Sequence, residues 1–450
     1  MYQCRFSGAG RRMTGRRIHN RLLSCCRSVL SLAILLSLPA AYGQTPLSLD
    51  EAERMALEAD PAVTARRARA EALREQAVAD GQLPDPKLGI GLYNLPLDDF
   101  SLESQPTTQF RTKIQQAFPR GDTLRYRRLG TEWMSKAEQA ETLLVGREIR
   151  RDVRQAFLEL YYQQQAAAII DRSHELFRQL VDITRSHFAA GRVSQQDVLQ
   201  AQLELSRLDD RATRIDEMAD VQRATLTRWI GDAAYRPIAT DFPRLPDLPP
   251  LAELRAALPG HPAIVAASAR VEANRQMVRV AREQYKPGWN IGLEYRKRFG
   301  EDPTGDDRAD MMAAMLTVDL PLFTEKRQDR RLSASQQHAE AARRLREKRL
   351  RELRRMLAAD YARWQRLGEQ EVLYSERLVN EAVDSASAAL NSYQSGINEF
   401  TTLMRARITE LDVKLQQLRV RVDRAKAHAR LLFLVSDPDE HSQPAEGEHE

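Results

Sequence analysis

The 450-residue chain reads as a mixed α/β membrane protein made of two internal structural repeats, each a helix, two membrane-length strands and a long helical hairpin. Three observations carry this reading. The first is a recurring turn. Phe188 precedes Gly191 by three residues and Val198 and Leu199 follow it by seven and eight; Tyr393, Gly396, Leu403 and Met404 repeat the pattern. One shift of 205 residues relates Gly191 to Gly396 and Ala201 to Ala406. Any helical hairpin can turn on a glycine, which adopts a left-handed conformation without a Cβ penalty. Two copies in register inside equally long helical stretches point to duplication. The second observation is a switch of hydrophobic period from 3.6 to 2, marked by proline in both halves. The third is sustained 3,4 spacing of apolar residues around each glycine turn.

Residues 1–43 read as a secretory signal peptide. Seven arginines with no lysine and no acid precede the apolar run Val29–Leu38, and Ala41 and Gly43 put small residues before a cleavage between Gly43 and Gln44. The apolar run is too short to span a bilayer comfortably. Cys4, Cys25 and Cys26 are the only cysteines, and all precede the run, so the mature chain is expected to hold neither a disulfide framework nor a thiolate metal site. The formal net charge of +5 also belongs to this segment. Without its seven arginines, 61 basic residues face 63 acidic ones, which removes the main argument for nucleic-acid binding.

The first repeat is expected over residues 44–235. Ser48 with Glu51 reads as a helix N-cap, and Asp60-Pro61 breaks and restarts that helix. After Leu83-Pro84-Asp85-Pro86 the pattern alternates: Leu88, Ile90 and Leu92 against Lys87, Gly89 and Gly91, then Phe110, Thr112 and Ile114 against Arg111, Lys113 and Gln115. Strands are expected at about 87–94 and 108–118. From about Leu129 to Ala190 runs a helix of roughly 60 residues, ~90 Å long. Its expected seam is Tyr162, Ala166, Ile169, Ser173, Leu176, Leu180, Ile183 and His187. Beyond a tip at about 188–199, Val198, Ala201, Leu205, Leu208, Ala212, Ile215 and Ala219 return along the hairpin. Residues 236–250 hold five prolines and read as a stiff surface linker.

The second repeat, 251–436, opens the same way, with Pro262 lying 201 residues after Pro61. Its strands are expected at about 289–298, where Trp289, Ile291, Leu293 and Tyr295 alternate with Asn290, Gly292, Glu294 and Arg296, and at about 310–321. In the latter, Met312, Ala314, Leu316, Val318 and Leu320 share the apolar face. The hairpin seams are Val372, Ser375, Val379, Ala382, Ala386, Ala389 and Tyr393, then, past a tip at about 393–404, Met404, Ile408, Leu411, Leu415, Leu418 and Val422. Residues 437–450 read as a disordered polar tail.

Strands of about ten residues suit a tilted bilayer crossing, but four cannot close a barrel, since the smallest need about eight. Three chains giving twelve strands is the economical closed solution. The polar segments 94–105 and 300–307 are then exposed loops. A pair of hairpins on an ordinary soluble sheet is the lesser alternative that the alternation alone leaves open.

No motif carries catalysis. The eight histidines are scattered, and no phosphate loop or nucleophile elbow occurs. Asp98-Asp99 and Asp306-Asp307 are paired carboxylates, yet they fall in the polar loops and read as solvated surface. His441, Glu446, Glu448 and His449 form a weak candidate metal cluster, outweighed by a plain solvated tail. No cofactor and no metal are expected.

The signal, the repeated order of elements and the two glycine tips resemble the TolC family of outer-membrane efflux proteins, over about residues 47–436. Leu83-Pro-Asp-Pro-Lys87, Asn94-Leu-Pro96 and Gln116-Ala-Phe-Pro-Arg-Gly121 are similar to its heavy-metal cation branch. The resemblance implies a homotrimer in the outer membrane of a Gram-negative bacterium. Its twelve-stranded β-barrel sits in outer-membrane lipid and continues as a long periplasmic α-helical coiled-coil barrel. It also implies a periplasmic adaptor (membrane fusion) protein seated on the tips at Gly191, Arg192, Val193, Gly396, Ile397 and Asn398. That adaptor links to an inner-membrane efflux pump of the resistance-nodulation-division type. The implied cargo is heavy-metal cations, with drugs or other small molecules as the alternative. Some members narrow the periplasmic entrance with acids six and nine residues after the second-repeat glycine; here Thr402 and Arg405 stand there, and Asp197 and Gln200 in the first repeat. These four are the candidate gate. A periplasmic adaptor or a structural coiled-coil protein is the runner-up, but neither explains two hairpins and four strands in one repeated order.

Overall fold

A computed structural model describes residues 45–435 of the chain. The expected signal peptide with its cleavage at Gly43 and Gln44, and the polar tail 437–450, lie outside the described residues.

Helix α1 (Leu49–Ala59) starts on Ser48, whose hydroxyl accepts the Glu51 amide at 3.2 Å. Only half of a capping box forms, because the Glu51 carboxylate turns to Arg236 at 2.8 Å. Asp60 then caps α2 (Pro61–Asp80) by accepting the Ala62 amide, with Pro61 at the first helical position where no amide is required. Strands β1 (Lys87–Tyr93) and β2 (Gln109–Phe118) lead to α3 (Thr123–Ala189), 67 residues and about 100 Å long. The hairpin returns along α4 (Gln195–Ile230).

The second half repeats this with α5 (Leu251–Ala257), α6 (Pro262–Glu283), β3 (Gly288–Arg298) and β4 (Met311–Asp319). Then come α7 (Gln328–Leu373), α8 (Val379–Gln394) and α9 (Phe400–Leu432). Between α7 and α8 lies one π-helical segment, Tyr374–Leu378. Thr123–Ala189 and the run from Gln328 to Gln394 correspond end to end under the 205-residue shift. No helix among the described residues is long and apolar enough to cross a membrane.

The strands form one antiparallel sheet in the order β1-β2-β3-β4. The two hairpins join through the central β2–β3 pair, where Ile114 faces Leu293 and Thr112 faces Tyr295. Leu88 faces Ile114, and Ile291 faces Leu316. Every apolar position of the alternation therefore falls on one face of the sheet, and that face is bare in the single chain, with Ile90, Ile291, Leu316 and Met312 all exposed. Among the described residues, strands β1 and β4 each have only one neighbour.

Three apolar clusters hold the helices. One gathers α1, α3 and the end of α4 around Phe157, Leu158, Leu226 and Val422. A second surrounds Leu254, Ile264, Leu353 and Leu434. The third fills the distal hairpins with Ile170, Phe177, Leu208, Leu403 and Leu411. Residues 236–250 depart from the expectation of a surface linker. Leu47 donates to the Pro237 carbonyl at 2.8 Å, Ile238 is buried, and Phe242, Leu245 and Leu248 pack onto the first two clusters. The prolines do not project a spacer; they hold an extended strap whose apolar side chains reach the core.

Two hairpin seams also differ from expectation. In α3 the buried line is Ala166, Ile170, Phe177, Leu180 and Thr184, while Leu176 and Ile183 are exposed. Ser173 and His187 continue this line at half-burial. It satisfies 4,3,4,3 spacing as well as the expected one does: Ala166, Ser173, Leu180 and His187 belong to both, and Ile170, Phe177 and Thr184 replace Ile169, Leu176 and Ile183, so the stripe turns by about half of the ~100° that one residue spans. In the second repeat the seam holds from Ala382 to Tyr393, but Val372 and Ser375 are exposed. Val372 precedes the π segment and Ser375 lies within it, and that segment changes the facing of the helix before α8 packs. The seams of α4 and α9 follow the expected residues.

His261 caps α6 from inside the second cluster. Its Nδ1 accepts the Ala263 amide at 3.2 Å, and Nε2 lies 3.2 Å from the Phe433 carbonyl. Burial, assisted by the Arg147 charge, pushes its pKa down to about 4. The two repeats are also tied by ions. Glu159 of α3 meets Arg419, at 2.9 Å, and Lys426 of α9. Burial raises the Glu159 carboxyl, but these two cations outweigh it and hold the pKa below the ordinary range.

Candidate functional site

The two hairpin tips are built the same way. The Gly191 amide donates to the Phe188 carbonyl at 2.8 Å and the Arg192 amide to that of His187 at 2.9 Å. At the second tip Gly396 donates to Tyr393 at 3.0 Å and Ile397 to Ser392 at 2.9 Å. These are equivalent pairs in the two repeats, and they close each helix in a Schellman-type turn. Both glycines have φ +72°, and open space surrounds the position a Cβ would take at either. Gly191, Arg192, Gly396 and Ile397 are exposed, Ile397 at 77%, while Val193 and Asn398 are half-buried. Ile397 is thus an apolar side chain standing clear of its own chain.

After the turns the repeats diverge. Ser194 and Asp197 form a full capping box at the start of α4: the Asp197 carboxylate accepts the Ser194 amide at 3.0 Å and hydroxyl at 2.8 Å. Glu399 precedes α9 without a side-chain cap. Of the candidate gate, Thr402 and Arg405 are exposed, and half-buried Gln200 donates to Glu204 at 2.9 Å. Asp197 within one chain thus holds Ser194.

The tips also touch each other. Tyr393 lies 5.9 Å from His187 and 5.7 Å from Phe400, ring centre to ring centre. Burial raises the Tyr393 phenol above its ordinary range, and the Asp197 charge adds to this against a Thr184 hydrogen bond. The aromatic residue shared by both sequence copies therefore has two fates, since Tyr393 is buried while Phe188 is exposed. Sequence spacing alone carries no signal for that difference.

At the other end, the motifs that suggested a branch of the family have local physical reasons. Asn94 takes φ +57° at the close of β1, with its amide reaching the Thr107 carbonyl at 3.1 Å and its own carbonyl accepting the Thr108 hydroxyl at 2.8 Å. Gln116 donates to the Pro84 carbonyl at 2.8 Å. Arg120 donates to the Gln284 carbonyl at 2.8 Å. Gly121, at φ +48°, lets the Glu283 carboxylate come close enough to accept the Asp122 amide at 2.8 Å. The strand-to-helix junctions of the two repeats are thereby stitched together, and sequence reading missed the stitch because its halves lie about 160 positions apart.

The sheet face opposite the apolar one is polar and partly glycine-lined. Gly91, Arg111, Arg296 and Met311 form one cross-strand row, and Gly89, Lys113, Glu294 and Ala313 the next. Asp98-Asp99 and Asp306-Asp307 lie in exposed loops, and no cluster able to hold a metal ion occurs among the described residues. Nothing here assembles a nucleophile with a base. An apolar outer face, a polar inner one and long hairpins with presented tips make a conduit instead.

Comparison with known proteins agrees. The outer membrane efflux protein family matches residues 53–232 and 254–436, the two repeats in turn. A search of the curated proteins found no match. Among solved structures, a membrane protein from Pseudomonas aeruginosa is similar at a TM-score of 0.76 and 17% identity, covering 87% of this chain and 91% of that one. The outer membrane protein VceC from Vibrio cholerae is similar at 0.72 and 20% identity, covering 86% and 95%. CusC, whose structures describe transmembrane channel formation, is similar at 0.73 and 14% identity, covering 87% and 93%. The chain belongs to the outer membrane efflux protein family and is an outer-membrane efflux channel, not an enzyme.

Proposed function

We propose that three copies of this chain close one twelve-stranded barrel in the outer membrane and continue below it as a helical conduit through the periplasm. The observation that carries this is the open sheet. It has four strands, one unbroken apolar face and two edges with a free side, which lipid and two further copies satisfy together. The tips at Gly191–Val193 and Gly396–Asn398 seat a periplasmic adaptor, which couples the channel to an inner-membrane pump of the resistance-nodulation-division type. Asp197, Gln200, Thr402 and Arg405 line the entrance between the tips. Cargo crosses passively.

Heavy-metal cations are the cargo that the motifs around Pro84, Pro96 and Gly121 support. Small organic molecules are the second reading, favoured by the basic side chains Arg111, Lys113 and Arg296 on the polar face. The test is the mass of the detergent-extracted outer-membrane protein, followed by conductance in a planar bilayer. A trimer that forms a water-filled pore is the expected result. A monomer released from the periplasm without detergent would overturn the proposal.

A further inference from the structure

Within the strands the polar face carries five cations against two carboxylates, and the surplus is concentrated near the loop end, below loops that themselves carry Asp98, Asp99, Glu103, Glu301, Asp302, Asp306 and Asp307. Lys87, Arg111, Lys113, Arg296 and Arg298 lie on it against Glu294 and Asp319. Asp319 pairs with Gly288 at the helix end, so Glu294 is the one strand carboxylate near the loops. Glu294 is shared. Arg296 Nε lies 2.6 Å from it and Arg111 Nε 3.7 Å, and Lys113 faces it directly across the strands. One carboxylate among three cations leaves two charges over in every chain.

These side chains are held, not merely solvated. The Arg111 guanidinium sits 4.2 Å over the Tyr93 ring, and its buried Nε makes no hydrogen bond. A Cβ at Gly91 would come within 3.0 Å of Tyr93, and one at Gly292 would meet the Lys113 chain at 3.5 Å. Gly91 thus leaves room for the Tyr93 ring on which Arg111 lies, whereas a Cβ at Gly292 would make only ordinary contact. The row of Arg111 is two residues from the strand ends at Tyr93 and Gln109, about 7 Å below them.

We infer that Arg111, Lys113 and Arg296 form a cationic belt near the outer mouth of the pore, which makes the channel anion-preferring and so favours the second reading of the cargo, an organic molecule, over a bare metal cation. This rests on the duct reading, because only in a closed barrel does the polar face line a lumen. Fixed charges of one sign on a narrow, low-dielectric wall concentrate mobile ions of the other sign. A free metal cation meets this belt as a barrier, whereas a metal carried in an anionic complex, or an acidic organic molecule, does not.

The test is the reversal potential of purified wild-type channels in planar bilayers across a potassium chloride gradient. The expected chloride-to-potassium permeability ratio is several-fold above one. The Arg111→Gln, Lys113→Gln double variant removes both charges while keeping polar side chains and should bring the ratio down toward one. Glu294→Gln should raise it above wild type. A wild-type channel that prefers potassium, or a ratio that moves in neither variant, overturns the belt while leaving the duct intact. Inserted protein without any conductance overturns the duct, and the belt with it.

Discussion

Substituting Gly396 by leucine separates what the tip does from what it is made of. Its φ of +72° is strained for any residue with a Cβ, which costs roughly 1–2 kcal/mol. Nothing lies within 4 Å of the added Cβ, so no clash adds to that figure. Gly121 is the internal control. A Cβ there stands 1.9 Å from the Glu283 carboxylate at φ +48°. Gly121→Ala must therefore displace Glu283 and its bond from the Asp122 amide, raising the cost to roughly 3–5 kcal/mol. Both variants are to be expressed at equal levels, with trimer yield measured after detergent extraction and export measured by cargo accumulation in cells lacking the native channel. Gly396→Leu should give near-normal trimer and no export, because the bulk lands on the surface offered to the adaptor. Gly121→Ala should lower the trimer yield itself. Full export by Gly396→Leu would refute the role given to the tip; loss of its trimer would refute the claim that the space there is open.

Three further outcomes are expected. Leu316→Arg, on the bare apolar face, should cost about 2–4 kcal/mol per chain and abolish membrane insertion, whereas Thr317→Arg on the polar face should insert; equal insertion of both would mean the faces are misassigned. The depressed pKa of His261 favours its neutral form in the fold, so its stabilisation is whole above pH 6.5 and is lost as pH falls toward about 4, by roughly 3 kcal/mol in all. Melting temperature against pH should therefore fall across that window in the wild type and fall less in His261→Asn, which keeps a cap acceptor; parallel curves would remove His261 from the acid response. Arg405→Ala should change single-channel conductance if Arg405 borders the entrance, and an unchanged conductance would remove it from the gate.

Much of this fold is legible from the chain because each element announces itself locally. Strand positions follow from alternation around Ile90, Ile114, Leu293 and Leu316, and the tips from glycines whose φ leaves few other residues possible. What is not legible depends on partners far away in sequence. The α3 seam has two equally spaced solutions, and only packing against α4 selects Ile170 and Phe177 over Ile169 and Leu176. The prolines of 236–250 look like a spacer until Leu47 pairs beside them. The contact of Tyr393 with His187 and the sharing of Glu294 among cations join residues of opposite repeats, which no periodicity reports.

The sheet that one chain leaves unfinished at both edges has a genetic consequence. A subunit with intact strands and a ruined tip still co-assembles, since nothing in β1 or β4 registers the fault. With equal amounts of sound and faulty subunits mixing at random, only about one trimer in eight is wholly sound. Tip alleles should therefore behave as dominant, and alleles that destroy the strands as recessive, because chains that cannot pair never enter a shared barrel to spoil it.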